Sequence, residues 1–157
     1  MKILKKILIS LLVVLVIAQF FGPEKNDGDM ATVASFLVET NPPQDVKKIL
    51  ETTCFDCHSA KSTYPWYNAI TPVNYWLDEH IQDGKKHLNF SKWNEYSLKK
   101  KEHKMDELHE EVEEGEMPLN SYTWTHSEAN LSPAQIAAVV TWGKKVQADY
   151  KQQISAK

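Results

Sequence analysis

The sequence contains no arginine, because all 18 of its basic residues are lysine. Lysine lacks the planar fork through which arginine makes two parallel hydrogen bonds to a phosphate or a guanine. Three of the lysines stand within the first six residues, and the remaining 15 face 21 acidic residues. An acidic chain repels a phosphate backbone. Nucleic-acid binding is therefore not expected.

Cysteine and glycine are scarce as well. Two cysteines are too few for a disulfide-rich scaffold, and five glycines are too few for a collagen-like repeat. Only one long apolar run is present, which excludes a polytopic membrane protein. Hydrophobic residues nevertheless make up 42% of the 157 residues, too many for a wholly disordered chain. The composition indicates one small globular domain.

The single apolar run lies at the N-terminus, from Ile7 to Phe21, and follows three lysines: Lys2, Lys5 and Lys6. A basic start followed by an apolar stretch is typical of an export signal. The run is somewhat shorter than the roughly 20 residues that span a bilayer. We interpret residues 1–22 as a signal peptide or membrane anchor and favour a retained anchor. Cleavage after Ala18 and a buried core helix are the alternatives.

The rest of the chain divides into a lead-in and a helical domain. Residues 23–43 are mostly polar and contain the pair Pro42-Pro43, so we predict a tether there. Residues 44–152 are predicted to form the domain, with helical periodicity and almost no strand-like alternation. Predicted helices start near Asp45, run from Val73 to a stop at Asp83-Gly84, cover 98–114 up to Gly115, and begin again after Ser132.

The chemistry is concentrated in the pentapeptide Cys54-Phe55-Asp56-Cys57-His58. This C-x-x-C-H spacing is the attachment motif of c-type haem, in which two thiols form thioethers to the haem and the histidine binds the iron. A structural zinc site is an alternative, as are a redox dithiol, a plain disulfide or an accidental match. Zinc lacks an evident second ligand pair, and a thioredoxin-like dithiol needs a βαβ unit. We predict one covalently attached haem c.

The axial ligands of the iron follow from the same motif. His58 is predicted as the proximal ligand, with its second ring nitrogen bound to a carbonyl of the loop that contains Pro65. For the sixth position we favour Met117, in a Gly-x-Met-Pro turn after the charged helix, with His126 as the alternative. The other candidates are assigned to the core (Met105), to a polar helix position (His80) or to solvated stretches (His87, His103, His109).

Aromatic residues surround these motifs and would suit an apolar haem pocket. Most of them are expected to be packing residues. For a direct haem contact we select Tyr64, Trp66, Trp76 and Trp124, together with Pro65. The acidic stretch 102–116 is interpreted as a solvated helix face, with a docking surface for a basic redox partner as the alternative. No residue is assigned a catalytic role.

Several separate motifs occur in order between Val46 and Lys145. They are Cys54-x-x-Cys57-His58, Tyr64-Pro65-Trp66-Tyr67, Pro72-Val73, Trp76-Leu77, His80-Ile81, Leu88-Asn89-Phe90-Ser91-x-Trp93, Gly115-x-Met117-Pro118, Tyr122, His126, Leu131-Ser132 and Trp142. Together they resemble the bacterial haem-binding domain family of small exported cytochrome c-like proteins. The resemblance implies an all-α, cytochrome c-like domain around one haem, with its first and last helices packed together. It also implies Met117 as an axial ligand, while His80 and His126 belong to the pattern and leave bis-histidine ligation open.

Two functions compete on these grounds. The first is a mono-haem electron carrier with His58 and Met117 as ligands, located on the periplasmic side of the inner membrane or secreted into the periplasm, and working with a redox partner protein. The second is a haem-based sensor or a peroxidase-like enzyme, which needs an exchangeable sixth ligand. A dedicated accessory module of one membrane enzyme is a third possibility. We favour the electron carrier over an enzyme.

Overall fold

The computed structural model describes residues 2–156 of the chain, and within that range it contains helices and no β-strand. This confirms the prediction of an all-α fold. The α-helices are α1 (Lys2–Ala18), α2 (Ala34–Thr40), α3 (Gln44–Ile49), α4 (Phe55–His58), α5 (Val73–His87), α6 (Leu98–Glu114), α7 (Asn120–Thr123) and α8 (Pro133–Ser155). Short 3-10 helices lie at Met30–Val33, Trp66–Ala69, Phe90–Glu95 and Ser127–Ala129.

Helix α1 has no buried residue, and its apolar side chains are exposed along its length. Among residues 2–156, the structure has no helix that is apolar over a length sufficient to cross a membrane. The structure thus gives no support to the predicted anchor. The end of α1 is tied to the domain through Gln19, whose side chain donates to Thr71 O and accepts from Thr71 N, both at 3.0 Å.

The segment predicted as a tether, residues 23–43, supplies part of the core. Helix α2 lies within it and buries Phe36 completely. The ring of Phe36 packs at a centroid distance of 4.4 Å from Phe90 and 5.0 Å from Trp93. We assigned the apolar residues of α2 to a lead-in because this helix is short and polar or proline-rich sequence flanks it. No long stretch of helical periodicity indicated that they belong to the core. The packed part of the chain accordingly begins before residue 44.

A partly buried polar network joins α2 to α6 and α8. Glu39 accepts two hydrogen bonds from Lys101 Nζ, at 2.8 and 2.7 Å, and one from the Tyr150 hydroxyl at 2.7 Å. Trp142 Nε1 donates to Thr40 O at 3.1 Å. Each buried polar group thereby has a partner, which removes the cost of burying it unpaired.

Helix α3 continues through a π-helical turn, Leu50–Cys54, into α4. One face of this continuous helix is buried, and it consists of Val46, Ile49, Leu50 and Thr53. Helix α5 differs from the prediction: it does not stop at Asp83-Gly84 but runs on to His87. A glycine inside a helix weakens it without ending it when the packing of the helix compensates.

Helices α6 and α8 form the main helix pair of the domain, and α3 also packs on α8. Helix α6 ends at Gly115, which has a φ of 78°, as the sequence predicted. Helix α8 begins with a capping box between Ser132 and Gln135. Gly143 lies where α8 crosses α6, and a Cβ there would be 2.9 Å from the Cβ of His109. His109 is buried in this crossing, so its assignment to a solvated stretch was wrong.

We expect Gly143→Ala to destabilise the protein by about 1–3 kcal/mol, because the added methyl group forces two packed helices apart. Helix propensity alone would favour alanine over glycine by about 1 kcal/mol, so the sign distinguishes the two effects. The free energy of unfolding in urea measures the change. Thr141→Ala, an exposed substitution on the same helix, serves as the control. A stabilised Gly143→Ala protein would contradict the close crossing.

Candidate haem-binding site

The pentapeptide of the motif forms one wall of a large cavity. Cys54 ends the π-helical turn, and Cys57 and His58 lie on α4. All three line a cavity of about 640 Å³, within the range of about 300–1,000 Å³ that is typical of ligand pockets. Burial raises the pKa of the Cys54 thiol to about 12 and that of Cys57 to about 11. Both groups are therefore neutral thiols. Both also line the same cavity.

His58 is oriented by a backbone carbonyl. Its Nδ1 lies 2.9 Å from Leu88 O, so Nδ1 donates and Nε2 keeps its lone pair for a metal ion. Burial lowers the pKa of the imidazole, which favours the neutral, ligand form. We predicted a carbonyl from the loop that contains Pro65, and this was wrong. The acceptor comes instead from the end of α5, which packs against α4.

Gly84 makes the contact between α4 and α5 possible. A Cβ at this position would lie 3.0 Å from Cys57 O and 3.1 Å from Cys57 Cβ. Because the backbone of Cys57 cannot turn aside as a flexible side chain could, a larger residue would push the helices apart. Four residues further on, Leu88 N donates to Gly84 O at 2.9 Å and closes the last turn of α5. The residue predicted to end α5 therefore determines how near α5 comes to the motif.

Met117 lines the same cavity as His58 and is half-buried. Its position follows from the end of α6, where Glu111 O accepts hydrogen bonds from the amides of Gly115, Glu116 and Met117. This triple acceptor turns the chain sharply after the helix. His80 and His87 of α5 also contribute to the lining of the cavity.

His126 does not line the large cavity. It lines a second, smaller cavity of about 50 Å³, together with the predicted haem contacts Tyr64, Pro65 and Trp76. Its ring stacks on Tyr122 at a centroid distance of 4.1 Å. The two cavities share lining residues, among them Cys57 and Tyr122. The structure thus brings Cys54, Cys57, His58 and Met117 to one cavity, whereas His126 lines the adjoining cavity, which it shares with Cys57.

Trp66 and Trp124 line neither cavity and are 81% and 84% exposed. A haem contact for them stays a prediction that the position of their side chains does not favour. Both were selected as aromatic residues close in sequence to the motifs. Proximity in sequence does not report which way a side chain points from a short helix or turn.

The apolar wall of the large cavity is formed mainly by residues that sequence reasoning assigned to the core or did not select. They are Ile49, Phe90, Leu108, Val112, Leu131 and Val139. Lys104, Glu107 and Glu111 of α6 add charged groups to the lining. The periodicity of α6 and α8 marked several of the apolar residues, but periodicity cannot distinguish a packed core from the wall of a cavity. The carbonyl of Leu88 had no signal of its own in the sequence.

Tyr122 lies on α7, after Met117 in the sequence, and is hydrogen-bonded to the C-x-x-C-H motif. Its hydroxyl donates to Asp56 Oδ2 at 3.0 Å, and Asp56 lies between the two cysteines of the motif. Burial, and after it the charge of Asp56, raises the pKa of Tyr122, so the hydroxyl stays protonated as a donor.

The residues present fit a haem. Two neutral thiols and an imidazole with a free Nε2 line a largely apolar cavity of suitable volume, and a thioether lines the same cavity. The alternative of a zinc site has less support: across residues 2–156, no three side chains of histidine, cysteine, aspartate or glutamate converge into a metal-binding group.

Comparison with known families agrees with this assignment. The model of a family described as "Haem-binding domain" matches residues 13–145, and the chain belongs to that family. Neither the curated proteins nor the solved structures gave a match.

We expect Gly84→Ala to lower the midpoint of thermal unfolding by about 2–8 °C, because the methyl group would collide with the backbone of Cys57. The same change should lower the amount of haem bound per chain, since it moves α5 and Leu88 away from His58. Lys86→Ala, an exposed substitution on the same helix, is the control. Unchanged stability and haem content in Gly84→Ala would show that α4 and α5 are not in close contact.

Proposed function

We propose that the protein is a mono-haem c-type cytochrome that transfers electrons. Cys54 and Cys57 attach one haem through thioethers, and His58 and Met117 are its axial ligands. The observation that carries this proposal is the lining of one cavity by both thiols, the oriented imidazole and the methionine thioether. The packing of α3, the helix that leads into the motif, on the last helix α8 further supports a cytochrome c-like arrangement.

Haem bound in this way would supply one-electron chemistry through its iron. The residues of the chain prepare the site for it. Leu88 O holds the ring of His58 in one orientation, and the apolar wall keeps the pocket at low polarity. With haem bound, Met117 and His58 would hold the iron, and a methionine ligand would raise its reduction potential. A closed site favours electron transfer over the binding of an external substrate.

The alternative function, a sensor or peroxidase-like enzyme, needs a sixth ligand that leaves the iron. The contribution of His80 and His87 to the cavity lining is the observation that favours it, because a histidine near the iron could act as an acid or base. Both residues belong to α5, the helix that also provides the carbonyl bound to His58. Met117 comes from a different segment, after α6.

We also propose that the domain works on the periplasmic side of the inner membrane, with a redox partner protein. The support is the sequence of α1: three lysines precede exposed apolar residues, and positive charge favours the cytoplasmic side. Digestion of the haem domain by protease in intact spheroplasts tests this location. Protection of the domain until the cells are lysed would contradict it.

Covalent attachment predicts a simple extraction result. Haem should stay with the native protein in acidified acetone and be extracted almost completely from the double variant Cys54→Ala/Cys57→Ala, because neither thioether can form. Each single variant should keep its haem through the remaining thioether, with an altered pyridine haemochrome spectrum. Thr52→Ala, an exposed neighbour, is the control. Extraction of haem from the native protein would rule out a c-type centre.

Ligation by Met117 is tested by absorption spectroscopy. The native ferric protein should show the weak far-red band of a methionine-ligated haem, and the ferrous protein should not bind carbon monoxide. Met117→Leu keeps the volume of the side chain but lacks the sulfur, so it should lose the band and bind carbon monoxide. Met30→Leu is the matched control outside the cavity. If His126→Ala abolishes the low-spin spectrum while Met117→Leu leaves it unchanged, His126 is the ligand.

A further inference from the structure

The segment that carries Met117 is long and makes few hydrogen bonds to the rest of the protein, although Ala129 is buried and its 3-10 helix packs on the π-helical turn Leu50–Cys54. We call residues 115–131, between α6 and α8, the Met117 loop. In the part of the chain that the structure describes, two hydrogen bonds join this loop to segments other than α6 and α8. The Tyr122 hydroxyl donates to Asp56 Oδ2 at 3.0 Å, and the Tyr67 hydroxyl donates to Thr125 Oγ1 at 2.7 Å.

These two bonds differ in strength. The pair of Tyr67 and Thr125 is neutral and exposed, so water competes for both groups. The pair of Tyr122 and Asp56 is partly buried, and its acceptor is a carboxylate, which makes the stronger kind of hydrogen bond. The other oxygen of Asp56 accepts from Thr63 N at 2.8 Å, which fixes the carboxylate. The bond of Tyr122 is therefore the stronger of the two hydrogen bonds, and it is the one nearer in sequence to Met117.

Asp56 lies at the centre of the motif. It is the residue before Cys57 and two before His58, on helix α4. At the other end of the bond, Tyr122 lies on α7. Its amide donates to Leu119 O at 2.9 Å in the first turn of that helix. Only Pro118 separates Leu119 from Met117, so little free chain lies between the bonded tyrosine and the thioether. One hydrogen bond thus links the segment of the proposed sixth ligand to the segment of the proximal ligand.

We propose that Tyr122 is a positioning residue whose hydrogen bond to Asp56 holds Met117 against the haem site and thereby keeps the sixth coordination position closed. The proposal rests on the ligation by His58 and Met117 proposed above. Loss of the bond leaves the loop attached at its two ends, at Thr125 and at the buried Ala129, all of them further from Met117 in sequence than Tyr122 except the end of α6, so Met117 leaves its position more often. The same chain then changes from a closed electron carrier to a protein that binds an external ligand.

The test uses the full chain with haem attached and measures how fast external ligands bind. In Tyr122→Phe the ring and its stacking on His126 remain, and only the hydroxyl is lost. Imidazole binding to the ferric protein and carbon monoxide binding to the ferrous protein should become about tenfold faster, the change expected from the loss of one hydrogen bond. Tyr75→Phe, an exposed tyrosine on α5, should behave as the native protein.

Two further variants isolate the bond itself. Asp56→Ala removes the acceptor, together with the bond from Thr63 N, and should accelerate ligand binding at least as much as Tyr122→Phe, while the double variant should be no faster than Asp56→Ala alone. Tyr67→Phe removes the exposed bond of the same loop and should change the rates much less. Additive effects of Tyr122→Phe and Asp56→Ala would overturn the proposal, as would equal effects of Tyr122→Phe and Tyr67→Phe.

The outcomes separate this proposal from the one on which it rests. Native rates in Tyr122→Phe, combined with the loss of the far-red band in Met117→Leu, would overturn the positioning role and leave the ligation intact. Rapid ligand binding by the native protein, or a spectrum that does not depend on Met117, would overturn the ligation itself. Hydrogen exchange of the amides of residues 115–131 gives an independent readout, because it should accelerate in Tyr122→Phe without added ligand.

Discussion

The hydrogen bond between His58 Nδ1 and Leu88 O is the contact around which the site is organised. A histidine can bind a metal ion in a fixed direction only when its second nitrogen is held, and here the holder is the last turn of α5. That requirement explains the close approach of α5 to α4, and the approach in turn explains a glycine at position 84. A glycine at this position would otherwise only weaken α5. The orientation of one imidazole thus accounts for the close approach of the last turn of α5 to α4.

The wall of the large cavity and the hydrophobic core consist partly of the same residues. Phe90, Leu108, Val112 and Val139 belong to both. A group that fills the cavity would therefore complete the core as well as bind to the protein. Any ligand that binds the folded state and not the unfolded chain stabilises the fold, and this shared wall makes the coupling direct. Stability and haem content should accordingly change together in variants of these residues.

Local patterns predicted much of the fold and the first part of the site. The spacing of Cys54, Cys57 and His58 predicted one shared site, and the three residues line one cavity; caps and periodicity predicted α6 and α8. The partner of His58 could not be predicted, because a backbone carbonyl has no side-chain identity and Leu88 is 30 residues away. His109 and Phe36 were misplaced for a related reason. Burial of both side chains depends on segments that are distant in the sequence. Neither the charged residues around His109 nor the short helix that contains Phe36 indicates that such a segment packs there.

The junction between α1 and the domain determines more than a point of attachment. Gln19 is hydrogen-bonded to both backbone groups of Thr71, and the Thr71 hydroxyl donates to Phe21 O at 3.1 Å. A free linker would let the domain rotate about its leading helix, whereas this paired junction fixes the direction in which α1 leaves. Whatever holds α1 therefore also sets the direction in which the mouth of the cavity faces. Under the proposed function, the distance and angle available to a redox partner would consequently be set at Gln19 and Thr71, neither of which is a proposed iron ligand.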